Sequence, residues 1–444
     1  MTPVTTTPFI NQTGRTGRTG QAGQTGRTGR NDLTGMTRRG MLGAALAAGA
    51  AVPLTAAAGP AWAGPAARAA TAAATADAAT PDAPAAPRLV LPAPTGPHPV
   101  GTVPLHLVDR SRPDEIAGPG HFRELMATVW YPARDVQRYP VAPWMPAGAF
   151  QAFLADVGFS DLASLGPLTA GHVGAPVLRT GRRLPVVVFS HGAHSHQGDH
   201  TVMVQELASH GYAVVTVAHQ YDTYTEFPDG RIAVPLRDRP APTLPGDFAA
   251  DLRFGLDCVE QLAAGCNPDV DRKELPAGLL GSLDPRRMGA FGWSKGGTAT
   301  ACAALADERI RAGLSVDGPM QMNPPLAGDL HRPFMMMSAA FTRATDPAAA
   351  AFWSLLRGRR LNIQAQGAVH ISYGDNEALF PQVAKAYGWS AQQLQDVIGT
   401  LDPDQAVRIQ QAYPLAFFDE HLRHQPDHLL DGQSPAFPAV TFLP

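Results

Sequence analysis

Apolar residues along the chain follow two alternating rhythms. Short runs rich in Val, Tyr and Phe occur at Thr102–Val108, Glu124–Tyr131, Leu184–Ser190, Tyr212–Ala218, Arg287–Trp293 and Ala312–Val316, then at Pro333–Ser338 and Leu361–Gln366. β-Branched and aromatic side chains suit a pleated, half-buried backbone, so these runs predict about eight strands. Between most of them apolar positions recur with a helical period, at Val202–His210, Phe248–Ala263, Gly297–Leu305, Asn376–Ala386 and Asp404–His421. Strand then helix, repeated through short turns, predicts an α/β fold: a mostly parallel central sheet with helices on both faces. Such sheets place ligands at the carboxyl ends of their strands, so the chemistry is sought in the turns that follow them.

Neither rhythm is present in about the first 97 residues. Residues 1–35 include Thr-Gly-Arg and Gln-Thr-Gly repeats from Thr13 to Arg30 and predict a disordered start, since nothing there buries surface against chain entropy. Residues 36–63 carry the parts of a twin-arginine export signal: Arg38-Arg39, a weakly apolar run, and small residues at Ala61 and Ala63 before Gly64. An uncleaved anchor is the alternative, although Ala, Gly and two Pro make a poor membrane span. Met36 opens a leader of more usual length, so the true start is open between Met1 and Met36. Cleavage after Ala63 removes six Arg and one Asp, taking the formal charge from −3 to −8. Residues 64–97 read as an Ala/Pro-rich linker, and residues 98–444 as one catalytic domain.

Composition narrows the function. With 45% hydrophobic and 16% charged residues the chain builds a large core, and 35 Lys and Arg against 38 Asp and Glu leave no basic stripe for a nucleic-acid partner. Three Cys make no disulfide scaffold, and none sits at zinc-finger spacing. Cys258 and Cys266 could pair only if the helix that carries Cys258 breaks near Gly265.

Four strand-end turns carry chemistry. Gly292-Trp293-Ser294-Lys295-Gly296 follows a strand and precedes a helix, the context in which G-x-S-x-G holds a serine nucleophile in a strained turn. Asp317-Gly318 ends the next strand, where an α/β-hydrolase keeps the acid that orients its imidazole. His370 follows the Leu361–Gln366 strand and completes the order Ser, Asp, His as general base. His191-Gly192-Ala193 follows Leu184–Ser190, and the backbone N–H groups of Ala193 and Lys295 are the expected oxyanion donors. His194-Ser195-His196-Gln197-Gly198-Asp199-His200 comes within one inserted residue of a binuclear zinc loop; the insertion breaks the ligand spacing, leaving a polar, solvated loop at the pocket rim as the better reading. Trp144, Phe150, Phe153, Leu154 and Val157 recur at helical spacing and could pack in the core, line an acyl pocket or touch a lipid surface.

Read together, Pro143-Trp144-Met145-Pro146, Phe189-Ser190-His191-Gly192, Leu207-Ala208-Ser209-His210-Gly211-Tyr212, the Ser294 turn, Asp317-Gly318 and His370-Ile371-Ser372-Tyr373-Gly374-Asp375 stand in the order found in platelet-activating factor acetylhydrolases of the plasma type and their bacterial relatives. The chain resembles that family from about Pro97 to His421. The resemblance implies an α/β-hydrolase fold, a Ser294/Asp317/His370 triad, an oxyanion hole at Ala193 and Lys295, and no cofactor or metal. It implies a small-molecule or lipid ester as substrate, including the 2-acetyl group of platelet-activating-factor-like phospholipids. Trp144, Phe153, His191 and Trp293 are the expected substrate contacts. Trp293 and Lys295 depart from the family, where a small polar residue or His and an apolar residue are more usual. The stretch Gln220–Gly246 reads as a variable rim loop.

The expectation is a secreted serine ester hydrolase working through an acyl-enzyme. A polyester or triglyceride lipase on the same triad, a zinc-dependent hydrolase and a non-catalytic lipid-binding protein are the alternatives. Oligomeric state, acyl donor and transient contact with a lipid surface stay open.

Overall fold

The computed structural model describes residues 88–237 and 243–444. The leader and most of the linker lie outside these residues. A single 11-stranded sheet organises the described chain. In chain order its strands are β1 (Val100–Pro113), β2 (Phe122–Pro132), β3 (Val141–Pro143), β4 (Leu168–Val173), β5 (Leu184–Ser190) and β6 (Ala213–Ala218). They continue, after a two-strand hairpin of β7 (Thr225–Glu226) and β8 (Ile232–Ala233), with β9 (Leu283–Trp293), β10 (Ile310–Val316), β11 (Phe334–Ser338), β12 (Arg360–Ala365) and β13 (Val440–Phe442).

The lateral order β13-β12-β11-β10-β9-β5-β6-β2-β1-β4-β3 puts six parallel strands, β12 to β6, at the centre. Antiparallel partners flank them at β13 and β2. All eight expected strands are present; β3, β4 and β13 are additional, each at or next to a sheet edge. The parallel centre is what the apolar runs encode: β5 is buried along its whole length because helices cover both of its faces.

The α-helices of the described chain are α1 (Ala147–Val157), α2 (Thr201–Ser209), α3 (Pro245–Ala263), α4 (Lys295–Ala306), α5 (Pro347–Leu355), α6 (Asn376–Tyr387), α7 (Ala391–Ile398) and α8 (Pro403–Phe418). Alternate strand residues feed two cores. Val186 and Val188 pack with Phe248 and Leu256 of α3, Ala299 and Ala303 of α4 and Phe352 of α5. Val187 and Phe189 pack on the other face with Met203 and Leu207 of α2 and Tyr413 and Phe417 of α8. Helix starts follow local chemistry: at α8 the Asp402 carboxylate accepts the Gln405 N–H (3.0 Å) and Pro403 occupies the first turn, where its missing N–H costs nothing.

The folded domain begins before residue 98. Leu91 is buried, the Thr95 N–H donates to Glu206 of α2 (2.7 Å), and Val90 exchanges hydrogen bonds with the Gln382 side chain of α6. The end of the expected linker is therefore part of the domain. Cys258, Cys266 and Cys302 are free thiols, although the chain does leave α3 before Gly265, which has φ +89°. Among the described residues no helix is long and apolar enough to cross a membrane.

Candidate active site

Ser294 is the one residue between β9 and α4, at φ 54° and ψ −122°. Non-glycine residues pay for positive φ, and they persist there only when their surroundings over-determine the conformation. Here the Ser294 N–H donates to Val316 of β10 (2.9 Å) and its carbonyl accepts the Thr298 N–H (3.1 Å). The flanking glycines have a steric cause. A Cβ on Gly292 would lie 2.2 Å from the Gly296 carbonyl oxygen, and one on Gly296 would lie 2.1 Å from that of Ser190. The Ser294 turn and the end of β5 thus touch backbone to backbone. Gly296→Ala is expected to cost about 3 kcal/mol, the upper end for overpacking, because a backbone carbonyl cannot rotate away. A thermal melt beside Gly246→Ala, whose added Cβ meets nothing within 4 Å, checks this.

Asp317 follows β10, itself at φ 46°. Its carboxylate accepts the N–H groups of Ala339 (2.7 Å), Phe341 (2.9 Å) and Ala340 (3.1 Å), the turn that leaves β11. One of its oxygens lies 2.6 Å from Nδ1 of His370, and Nε2 of His370 lies 2.9 Å from Oγ of Ser294. The three side chains, from three strand-end turns, therefore form one continuous hydrogen-bonded series. Trp293 braces it: its indole N–H donates to the His370 carbonyl (2.9 Å), and its ring lies 5.0 Å from the imidazole.

The turn after β5 runs beside this series. A Cβ on Gly192 would meet the Trp293 ring at 2.4 Å, so Gly192 is needed where the two turns meet, and Ala193 lines the same pocket as Ser294 and His370. His194 takes φ 55°. Two expectations need correction. His191 does not line the cavity beside Ser294: it is fully buried, pairs through Nδ1 with the Gly192 carbonyl (2.7 Å) and accepts the His219 N–H at Nε2 (3.1 Å). Burial, then the neighbouring His219, lowers its pKa to about 4. The His194–His200 loop does sit at the cavity, which His194, Ser195, His196 and Asp199 line, but it is only partly solvated: His194, Ser195 and Gln197 are half-buried. His196, Asp199 and His200 are buried, and Asp199 binds the Ser195 hydroxyl (2.6 Å) and His200 Nδ1 (2.8 Å). Among the described residues no group of three or more His, Cys, Asp or Glu is arranged to hold a metal ion.

Ser294 and His370 open into a cavity of about 160 Å³. The five apolar residues at helical spacing, Trp144, Phe150, Phe153, Leu154 and Val157, all line it, and Trp293 lies beside the serine. They pack with Leu379 and Val383 of α6 in a cluster of their own, so one set of side chains both packs a core and walls the cavity beside Ser294.

Several site-shaping residues escape the sequence reading. Asp375 accepts the Trp144 indole N–H (2.8 Å) and the N–H groups of Thr201 and Val202 at the start of α2 (2.9 Å each), tying the His370 loop to the pocket wall. Burial raises its pKa to about 6 despite these donors. Ser190, His219 and Asp251 form a second series at 2.8 and 2.9 Å, wholly buried and closed by the Arg123 ion pair (2.6 Å). None of the three lines the pocket, so they brace the turns after β5 and β6. Asp222, four residues past β6, is buried too, so Gln220–Gly246 is not all rim. Its strand-end position was the available signal.

Residues 84–225 and 257–436 match the family model described as platelet-activating factor acetylhydrolase, isoform II. A platelet-activating factor acetylhydrolase of Cavia porcellus is 26% identical over 329 residues, 66% of this chain and 72% of that protein. A probable 1-alkyl-2-acetylglycerophosphocholine esterase of Arthroderma benhamiae is 25% identical over 279 residues, 59% of this chain and 66% of that one. Among solved structures, a ferulic acid esterase from Streptomyces cinnamoneus is 31% identical with a TM-score of 0.67, covering 81% of this chain and all of that one.

Proposed function

The chain belongs to the platelet-activating factor acetylhydrolase, isoform II, family and is an esterase-type hydrolase; from that premise we propose that it is an exported serine hydrolase of short-chain acyl esters, with Ser294 as nucleophile. One observation carries the reading: Ser294 Oγ, His370 and Asp317 stand in series at 2.9 and 2.6 Å where the pocket opens. His370 Nε2 takes the hydroxyl proton as Oγ attacks the ester carbonyl. The N–H groups of Ala193 and Lys295 receive the oxyanion, and the N-terminus of α4 adds its dipole. The C–O bond to the alcohol then breaks, His370 returns the proton to the leaving oxygen, and a water activated the same way cleaves the acyl-enzyme.

Pocket size sets the acyl group. A cavity of about 150 Å³ takes a benzene-sized molecule, so the 160 Å³ here suits an acetyl, butyryl or similar short chain and not a long fatty acyl chain. The 2-acetyl group of a platelet-activating-factor-like phospholipid meets that limit. A second reading, an aryl ester such as a feruloyl ester, is favoured by the aromatic wall of Trp144, Phe150 and Phe153 and by the ferulic acid esterase neighbour.

An acyl-length series of p-nitrophenyl esters, beside a 2-acetyl phospholipid and a feruloyl ester, separates the readings. Turnover is expected to peak at two to four acyl carbons and fall steeply beyond about eight. Phe153→Ala, which removes a ring packed against Trp144 and Tyr224, is expected to move the optimum to longer chains. An unchanged optimum places the acyl group elsewhere, and no turnover on any ester overturns the reading.

A further inference from the structure

Lys295 is doubly placed. Its backbone N–H is one of the two oxyanion donors of the reading above, on which this inference rests. Its side chain runs across the ring of Phe248 (Nζ 4.7 Å from the centroid) and ends 2.5 Å from an Asp222 oxygen. The other Asp222 oxygen accepts the backbone N–H of His194 (2.5 Å) and lies 3.1 Å from His194 Nδ1. His194 directly follows Ala193, the second donor residue. A single buried carboxylate therefore spans the two chain segments that supply the oxyanion hole.

The rest of the Asp222 turn locks to the same segment. Ser195 bridges Thr223, and the Tyr224 N–H donates to the Ser195 carbonyl (3.1 Å). On its other side the turn is anchored through the Asp222 N–H to the His219 carbonyl (3.0 Å), with His219 held by Asp251. His194 needs such a restraint, because its φ of 55° puts the chain after Ala193 in a conformation that a free loop would leave. Burial alone would raise the Asp222 pKa, yet the hydrogen bond from His194 and the charge of Lys295 hold it at about 2, so the bridge is ionic across the working range of an esterase.

We propose that Lys295 and Asp222 are positioning residues that clamp the Ala193–His194 segment against the Ser294 turn and so set the spacing of the two oxyanion donors. The apolar residue more usual at position 295 could not make this bridge. The clamp acts on the transition state, because oxyanion donors must meet the developing charge without reorganising, and a misplacement of about 1 Å can cost 100-fold. Substrate binding rests on the aromatic wall and is left alone.

Lys295→Met, Asp222→Asn, Lys295→Arg and the double variant Lys295→Met/Asp222→Asn are measured for kcat, KM, melting temperature and affinity for phenylboronic acid, which forms a tetrahedral adduct on a serine nucleophile. Expected are a 10- to 100-fold loss of kcat in Lys295→Met with KM within about threefold, a parallel loss of boronic-acid affinity, and retention of most activity in Lys295→Arg. The double variant should recover part of the loss, since it leaves no buried charge unpaired. A kcat loss with boronic-acid affinity unchanged, or a lowered melting temperature with kcat and boronic-acid affinity intact, overturns the clamp. Should Lys295→Met not fold, Asp222→Asn and Lys295→Arg carry the same readouts. If the unmodified protein hydrolyses no ester, or turnover survives Ser294→Ala, the underlying reading fails and not the clamp.

Discussion

Ser294→Ala is expected to lower kcat for ester hydrolysis on the order of 10⁶-fold, the loss seen when other triad nucleophiles are removed, while the melting temperature stays within a few degrees. The two halves have separate causes. The hydroxyl is the only atom removed, and its partner is Nε2 of His370. Turn geometry is set elsewhere, by Gly292, Gly296 and the backbone bonds of Ser294 to Val316 and Thr298. Alanine tolerates φ 54° no better and no worse than serine. Residual turnover should come from the oxyanion donors and substrate binding alone, so it should keep the acyl-length preference of the parent.

Asp317→Asn should lower kcat on the order of 10⁴-fold. The hydrogen-bond pattern explains why. Asp317 takes three backbone N–H groups from the turn after β11 and leaves an oxygen 2.6 Å from Nδ1 of His370. An asparagine keeps its one oxygen toward the N–H groups of Ala339 and Phe341, which turns its NH₂ toward His370. Nδ1 must then accept, the ring proton moves to Nε2, and the imidazole faces Ser294 as a donor that cannot take the hydroxyl proton. The NH₂ also faces the Ala340 N–H, so a loss of about 1–3 kcal/mol of stability accompanies the kinetic effect. Steady-state kinetics with a thermal melt separate the two, and a kcat within tenfold of the parent would remove Asp317 from the series.

Much of this was legible in the sequence, for a physical reason. A parallel strand buried on both faces must be apolar throughout, so β5, β6 and β9 to β12 announce themselves, and the rule that chemistry sits at their carboxyl ends leads directly to the Ser294, Asp317 and His370 turns. β3 and β13, three residues each, are too short to leave a pattern, and β4 buries only Thr169 and Gly171 of its six residues. α5 and α7 lie outside the segments that the helical period marks; the Ala-rich α5 has no polar face to set off a period.

The site's supporting shell was harder to read, because its partners are distant in sequence and their burial is a property of the fold. Asp222 meets Lys295 across 73 positions and Asp375 meets Trp144 across 231. His191 illustrates the opposite error. Its place beside the Ala193 turn suggests substrate contact, yet the ring is buried against His219. The His194–His200 loop looked solvated from its polarity alone, whereas Asp199 satisfies its neighbours internally.

Whether Ser294 is the reacting serine is tested most directly by covalent labelling with p-nitrophenyl diethyl phosphate, in which the serine Oγ bonds to phosphorus and p-nitrophenolate leaves. Expected are one label per chain on the peptide carrying Ser294, ester hydrolysis lost in proportion to labelling, and full activity in a chelator-treated control. Labelling at another residue, or unlabelled activity that disappears with chelator, would contradict that role for Ser294.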